Sequence, residues 1–174
     1  MKTAWLAMLA VVPGCYSAEA SIGREGLIHG NRAGGVAMNL LAATYYETGK
    51  QNIAVGGDMQ LLQHGSDGIA GTLGAGARFA QQIGDSGRWR GFSRASFGVE
   101  RCRLTTCKPD MQEPHRDVLE IQLGIEHMLL DKDISSELGF VYTHVSDDAL
   151  GVGSYIGFEI GLHVQLNLLA RSGQ

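Results

Sequence analysis

The chain lacks the features that mark most other classes of small protein. It holds only three cysteines and three prolines in 174 residues, and its formal charge is −4. Three cysteines are too few for a fold held together by several disulfides, and the small charge excludes a broad basic surface for nucleic acid. After the first dozen residues, no apolar run is long enough for a membrane helix. The length of the chain is that of a single domain.

The clearest positive pattern is an alternation of apolar and polar residues in the segment 154–168. Apolar side chains take every second place from Ile156 to Leu168, and polar residues or glycines lie between them. Period two is typical of a β-strand with unlike faces. A strand that crosses the hydrocarbon of a membrane needs about nine to eleven residues, which this segment exceeds. The segment therefore predicts a membrane-spanning strand.

Similar alternation predicts seven clear strands and a weaker first one within residues 21–30. The clear strands are predicted at 36–47, 53–64, 69–82, 88–101, 118–130, 136–145 and 154–168. No segment predicts a helix of the usual length. Short and longer connections alternate down the chain, as they do between the two ends of outer-membrane barrels. We therefore predict an all-β fold, a single antiparallel up-and-down barrel of about eight strands, transmembrane in type.

The N-terminus has the features of a leader for export. Lys2 is followed by an apolar run and then by two competing cleavage patterns within residues 1–20. The triplet ending at Ala20 is an A-x-A site, which predicts a barrel domain over 21–174. Alternatively, Val12-Pro13-Gly14-Cys15 resembles a bacterial lipoprotein signal, which implies lipidation of Cys15. Both interpretations predict export.

The remaining two cysteines lie close together in the sequence. Cys102 and Cys107 bracket four residues beside the longest predicted loop, which also contains two of the three prolines. In an exported chain, such a pair predicts a small-loop disulfide. The alternative is a metal site, but no His or Cys partner lies nearby at ligand spacing.

The orientation of the two strand faces decides between a membrane barrel and a soluble one. The polar face mixes both charge signs with glycine, as a narrow lumen filled by large and small side chains requires. We therefore predict that the apolar face points outward and that a charge cluster fills the lumen. The predicted lumen cluster comprises Arg88, Arg90, Arg94, Glu100, Glu120, Glu126, Glu159 and His163. Paired charges in a small lumen indicate a plug rather than a pore, and Glu159 and His163 are about 13 Å apart along a strand, too far for a catalytic pair.

The pattern as a whole resembles the small OmpA/OmpX-type outer-membrane barrels, over nearly the whole mature chain. A local run, Tyr142-Thr143-His144-Val145-Ser146-Asp147, is similar to the His-x-Ser-Asn motif of the lipid A 3-O-deacylase family. This second resemblance implies an outer-membrane hydrolase with Ser146 as nucleophile and His144 as base. Asp147 stands where that motif has Asn, and the strand-borne acid downstream, Glu159, is expected to face inward.

The expected protein is a monomeric barrel of the bacterial outer membrane, in contact with its lipid and without cofactor, metal or nucleic acid. Its role is expected to be structural or one of surface interaction, with surface or periplasmic contacts made through loops. Two alternatives stay open. One is the deacylase-like hydrolase with His144 and Ser146. The other is a soluble or lipid-anchored, lipocalin-like periplasmic barrel that binds an apolar ligand.

Overall fold

The strands close into a single barrel in the computed structural model, which describes residues 15–30, 34–63, 69–101, 116–130, 133–146 and 153–167. Each strand pairs antiparallel with its neighbours in the sequence, and the first pairs with the last. The eight strands are β1 (Cys15–His29), β2 (Val36–Thr48), β3 (Gln51–Gln63), β4 (Ile69–Ile83), β5 (Trp89–Arg101), β6 (Arg116–Leu130), β7 (Ile134–Ser146) and β8 (Gly153–Asn167). The predicted up-and-down barrel is confirmed. In the part of the chain described, no helix is long and apolar enough to cross a membrane.

The alternation of residue types along each strand becomes an alternation of exposure. In β8, Phe158 is 67% exposed on the outer wall and the next residue, Glu159, is 1% exposed inside. The same contrast recurs around the barrel, with Leu73 and Leu123 exposed outside and Arg94 buried inside. An apolar wall around a polar interior is the arrangement of a membrane-spanning barrel. The soluble, lipocalin-like alternative is therefore wrong, because it requires the apolar side chains to face inward.

The first strand begins earlier than the weak pattern at 21–30 predicted. β1 starts at Cys15, and residues 15–20 pair on both sides, with Cys15 opposite Tyr45 of β2 and Asn167 of β8. The A-x-A interpretation assigns these six residues to the leader, whereas the lipoprotein interpretation starts the mature chain at Cys15. Residues 1–14 lie outside the described residues, and both cleavage sites stay predictions.

The two ends of the barrel differ in the length of their connections. At one end lie the connections 49–50, 84–88 and 131–133. In the first two of these, Gly49, Gly84 and Gly87 adopt positive φ angles of 55°, 69° and 68°. At the other end lie the connections 30–35, 64–68, 102–115 and 147–152. We call these the inner and the outer end, by analogy with the short periplasmic turns and longer external loops of such barrels. The predicted disulfide partners Cys102 and Cys107 fall outside the described residues.

Two apolar clusters lie inside the barrel, one at the outer end and one in the inner half. The outer cluster comprises Ala37, Leu62, Val118, Val145 and Tyr155. The inner cluster comprises Leu41, Ala43 and Ala54, with Tyr45 packed against them. Tyr155 is 2% exposed within the outer cluster, so its ring faces the interior and not the wall.

Exposed aromatic rings do mark the inner end of the wall. Trp89 and Tyr46 are exposed there, at 45% and 69%. The indole ring of Trp89 lies 4.5 Å from the imidazole of His127, centroid to centroid. His127 therefore packs on an aromatic ring at the strand end, where a polar group can reach the membrane interface.

Candidate functional site

A network of ion pairs, which we call the lumen network, lies inside the barrel and includes residues level with the inner apolar cluster. Arg94 of β5 lies at its centre. Its Nη1 lies 2.9 Å from Oε1 of Glu19 on β1, and its Nη2 contacts Asp58 on β3 and lies 3.9 Å from Oε1 of Glu120 on β6. One guanidinium therefore joins three carboxylates from three strands.

Arg78 of β4 is a second centre of the lumen network. Its Nη2 donates to Glu126 Oε2 at 2.7 Å and to Glu137 Oε1 at 2.5 Å, and its Nε lies 3.0 Å from Glu19 Oε2. The guanidinium also lies 4.7 Å above the ring of Phe92, a favourable cation–π distance. Because Glu19 contacts both Arg78 and Arg94, the two centres form one connected network.

The predicted lumen cluster is largely found inside the barrel, with one residue displaced. Seven of its eight members are buried, namely Arg90, Arg94, Glu100, Glu120, Glu126, Glu159 and His163. Arg88 differs because it ends the turn 84–88 and is exposed at the inner mouth. Arg90 lies just inside that mouth, where its Nη2 donates to Glu47 Oε1 at 2.8 Å.

The cluster as predicted leaves out residues that hold the network together. Glu19, Glu25, Asp58, Arg78 and Glu137 are all buried in the lumen. The alternation of apolar and polar residues along their strands already places Asp58, Arg78 and Glu137 on the polar face. Glu19 is different, because it lies in a stretch with the sequence character of a leader.

The carboxylates nearer the outer end accept hydrogen bonds from neutral side chains. Glu159 accepts hydrogen bonds from Ser21 Oγ and Asn39 Nδ2, both at 2.7 Å, and from Gln122 Nε2 at 3.4 Å. Gln60 Nε2 of β3 donates to Glu120 of β6 at 2.5 Å, and Thr143 Oγ1 of β7 donates to Glu25 of β1 at 3.2 Å. These bonds cross the lumen between strands and fix its side chains in place.

One group in the lumen has the composition of a metal site. Ligand atoms of Glu126, Glu137 and His163 lie within 4.8 Å of one another, and His163 Nδ1 is 3.5 Å from Glu126 Oε2. Arg78 already binds both carboxylates, so a fixed cation stands where a metal ion would lie. We therefore assign this group to the lumen network.

The candidate catalytic residues lie on the outer wall, near the outer end of β7. His144 and Ser146 share the outward face, as expected from their parity. The hydrogen bond of His144 goes to a different serine, because its Nδ1 lies 3.1 Å from Oγ of Ser154 on β8. Tyr142 stacks on the imidazole and brings its hydroxyl to 3.4 Å from the same Ser154 Oγ. The wall thus carries a Tyr142–His144–Ser154 group, which we call the wall triad.

Comparison with known proteins supports the fold. No family model and no curated protein matches the chain. Among solved structures, the chain is similar to neisserial surface protein A (NspA), with a TM-score of 0.58 and 13% identity over 88% of this chain and 97% of that one. Weaker matches are the outer-membrane protein Ail of Yersinia pestis (TM-score 0.42, 12% identity, 86% and 99% covered) and OmpT of Vibrio cholerae (TM-score 0.40, 11% identity, 90% and 54% covered).

The likeness to NspA and the observed topology confirm the predicted OmpA/OmpX-type fold. Together with the apolar wall, this is the architecture of a small barrel of the bacterial outer membrane. The similarity to the lipid A deacylase family rests on the run at 142–147 alone, and the comparisons add nothing to it.

Proposed function

We propose that the chain is a monomeric, non-conducting structural barrel of the outer membrane whose outer connections serve for contact at the cell surface. The observation that carries this proposal is the filled lumen. The side chains of Arg78 and Arg94 are each 0% exposed, and two clusters of buried apolar residues occupy further parts of the interior. An eight-stranded barrel is just wide enough for its own side chains to fill it. Stability is then the role of the lumen charges.

Two measurements test the barrel and its lack of conductance. Fractionation with heat-modifiable gel migration should place a folded, compact form in the outer membrane. The purified protein in a planar lipid bilayer should show no discrete conductance steps. Recovery in the soluble periplasmic fraction would overturn the membrane role, and steady single-channel currents would overturn the plugged lumen.

The surface-contact role concerns the longest outer connection, 102–115. Its replacement by a short Gly-Ser turn should leave heat-modifiable migration unchanged, because it lies outside the strands. We expect whole cells that carry this variant to lose binding to surfaces that cells with the parent protein bind. The barrel should stay folded. The same shortening applied to the inner turn 84–88 is the control, because that end faces the periplasm in this proposal.

A second candidate is a lipid ester hydrolase, which the wall triad favours. A serine attacks an ester carbonyl while a histidine takes the hydroxyl proton and passes it to the leaving alcohol, and water then releases the acyl group from the serine. The 3.1 Å contact of His144 with Ser154 supports Ser154 in that role, where the sequence pattern favours Ser146. Deacylation of lipid in reconstituted membranes that is lost in Ser154→Ala and kept in Ser146→Ala would support this candidate. No deacylation by the parent protein would remove it.

A further inference from the structure

A groove of about 820 Å³ lies on the barrel wall near the outer end of β1 and β8. Its lining includes Arg24, Leu27, Phe140, Ile156 and Phe158, with glycines between them. Glu25 also borders the groove, but its side chain is 1% exposed and accepts a hydrogen bond from Thr143 inside the lumen. Strand register explains this composition. Phe140 of β7, Phe158 of β8 and Arg24 of β1 are consecutive partners across the sheet and so form one row. The groove is therefore apolar along most of its length, with a cation at one side.

Arg24 is the unusual member of that row. It is exposed, and its strand partners on the two sides are Phe158 and Val36. Among arginines and lysines whose side chains the structure describes, it alone points outward from a strand. Over that same part of the chain, no carboxylate lies within ion-pair distance of it. Arg24 thus carries a charge without an ion-pair partner on a largely apolar wall.

The position of Arg24 along the barrel makes such a charge tolerable. It pairs with Val36, the first residue of β2, so it lies level with the outer end of that strand. An arginine on the lipid face costs about 2–4 kcal/mol at the bilayer midplane and about 0–1 near an interface. Because β2 ends at this level, we infer that lipid headgroups reach Arg24 beside the end of that strand. A phosphate is the headgroup that a planar guanidinium binds best, through two parallel hydrogen bonds.

The apolar part of the groove suits the rest of such a lipid. The rings of Phe140 and Phe158 meet edge to face at 5.5 Å and 74°, and Ile156 and Leu27 continue the apolar lining. Gly26 adds no side chain, so a chain can lie against the backbone there. We propose that this groove binds one phosphate-bearing lipid of the outer leaflet, with the phosphate on Arg24 and an acyl chain along Phe140, Phe158 and Ile156. This inference rests on the proposed membrane location.

Quenching of a tryptophan reporter by brominated lipid tests the site. The variant used lacks the two native tryptophans (Trp5→Phe and Trp89→Phe) and carries one reporter, Ile160→Trp, on the wall of β8 beside the groove. It is purified from membranes. It is reconstituted in phosphatidylcholine vesicles that contain the same small fraction of either brominated phosphatidic acid or brominated phosphatidylcholine. One basic residue near a membrane surface favours an anionic lipid by about fivefold. We expect that preference at the groove reporter and a preference near unity after Arg24→Gln.

Two matched controls and one conservative substitution test the interpretation. A reporter at Phe97, an exposed phenylalanine on the wall of β5, should show no lipid preference. Arg88→Gln, which removes an exposed arginine at the inner mouth, should leave the groove preference unchanged, and Arg24→Lys should retain part of it. Equal quenching by both lipids in the parent, or a preference that survives Arg24→Gln, would overturn the groove. The absence of quenching by either lipid at both reporters would instead overturn the membrane location itself.

Discussion

Glu19 and Arg94 are 75 positions apart in the sequence, but a carboxylate oxygen of the first lies 2.9 Å from the guanidinium of the second. Glu19 also lies 3.0 Å from Arg78, so one side chain of β1 joins both centres of the lumen network. The same residue is the middle of Ala18-Glu19-Ala20, the A-x-A pattern of one predicted cleavage site. Cleavage after Ala20 and an intact lumen network therefore exclude each other.

The first prediction concerns the start of the mature protein. We expect the chain isolated from membranes to begin at or before Cys15, because β1 pairs from Cys15 onward and its Glu19 holds two buried arginines. Intact mass and N-terminal peptide mass spectrometry measure this directly, and Cys15→Ser distinguishes a lipidated N-terminus from an unmodified one. In addition, Glu19→Gln should lower the free energy of unfolding by about 3 kcal/mol. A mature chain that starts at Ser21 would contradict the prediction. So would a Glu19→Gln variant whose free energy of unfolding is unchanged.

The second prediction concerns Arg78. Replacement by Met leaves Glu126 and Glu137 buried without their cation, and breaking a buried ion pair in this way costs about 3–5 kcal/mol. The urea midpoint of unfolding and the temperature of heat modification should both fall. The triple variant Arg78→Met with Glu126→Gln and Glu137→Gln should recover part of the loss, since the unpaired charges are then gone.

Arg88→Met provides the matched control for Arg78. It removes the same side chain from the exposed turn 84–88, where substitutions usually change stability by less than about 0.5 kcal/mol. Equal effects of the two substitutions would show that the lumen network does not stabilise the barrel.

The sequence was sufficient for the barrel because strand parity and face chemistry are local properties. The alternation through Phe158 and Glu159 already separates wall from lumen, and the structure agrees with that assignment. Residues 15–20 were missed because Ser17, Ala18 and Ala20 are small and give little contrast between the two faces. The ion-pair partners could not be predicted at all. Glu19 and Arg94 meet across the lumen from β1 and β5, and such pairs depend on the tilt and stagger of all eight strands.

The predicted catalytic pair shows the same limit. Sequence spacing places His144 and Ser146 on one face, which is correct. It does not tell which residues of the neighbouring strand lie beside them. The register of β7 and β8 pairs His144 with Ser154, and that serine provides the hydrogen-bonded hydroxyl. Cross-strand neighbours of this kind become visible only when the register is known.

The third prediction concerns the glycines of the lumen face. A Cβ on Gly124 of β6 would clash with the backbone carbonyl oxygen of Leu138 on β7 and would lie 2.7 Å from the ring of Phe92, whereas a Cβ on Gly57 of β3 would meet nothing within 4 Å. Gly124→Val should therefore overpack the lumen and cost about 1–3 kcal/mol. Gly57→Val adds an apolar side chain to the outer wall and should leave urea unfolding almost unchanged. Comparable losses in both variants would show that backbone effects, rather than lumen packing, decide the outcome.

The fourth prediction separates two tyrosines at the outer end of the barrel. Tyr155 is 2% exposed within the outer cluster, whereas Tyr142 lies on the wall beside His144. Truncation of a buried aromatic ring costs about 3–5 kcal/mol because it removes buried surface and leaves a cavity. Tyr155→Ala should accordingly lower the urea midpoint far more than Tyr142→Ala does. Tyr155→Phe should retain most of the stability if packing of the ring is what matters. A larger fall of the urea midpoint in Tyr142→Ala than in Tyr155→Ala would contradict the prediction. It would show that the wall around Tyr142 contributes more to stability than the outer cluster does.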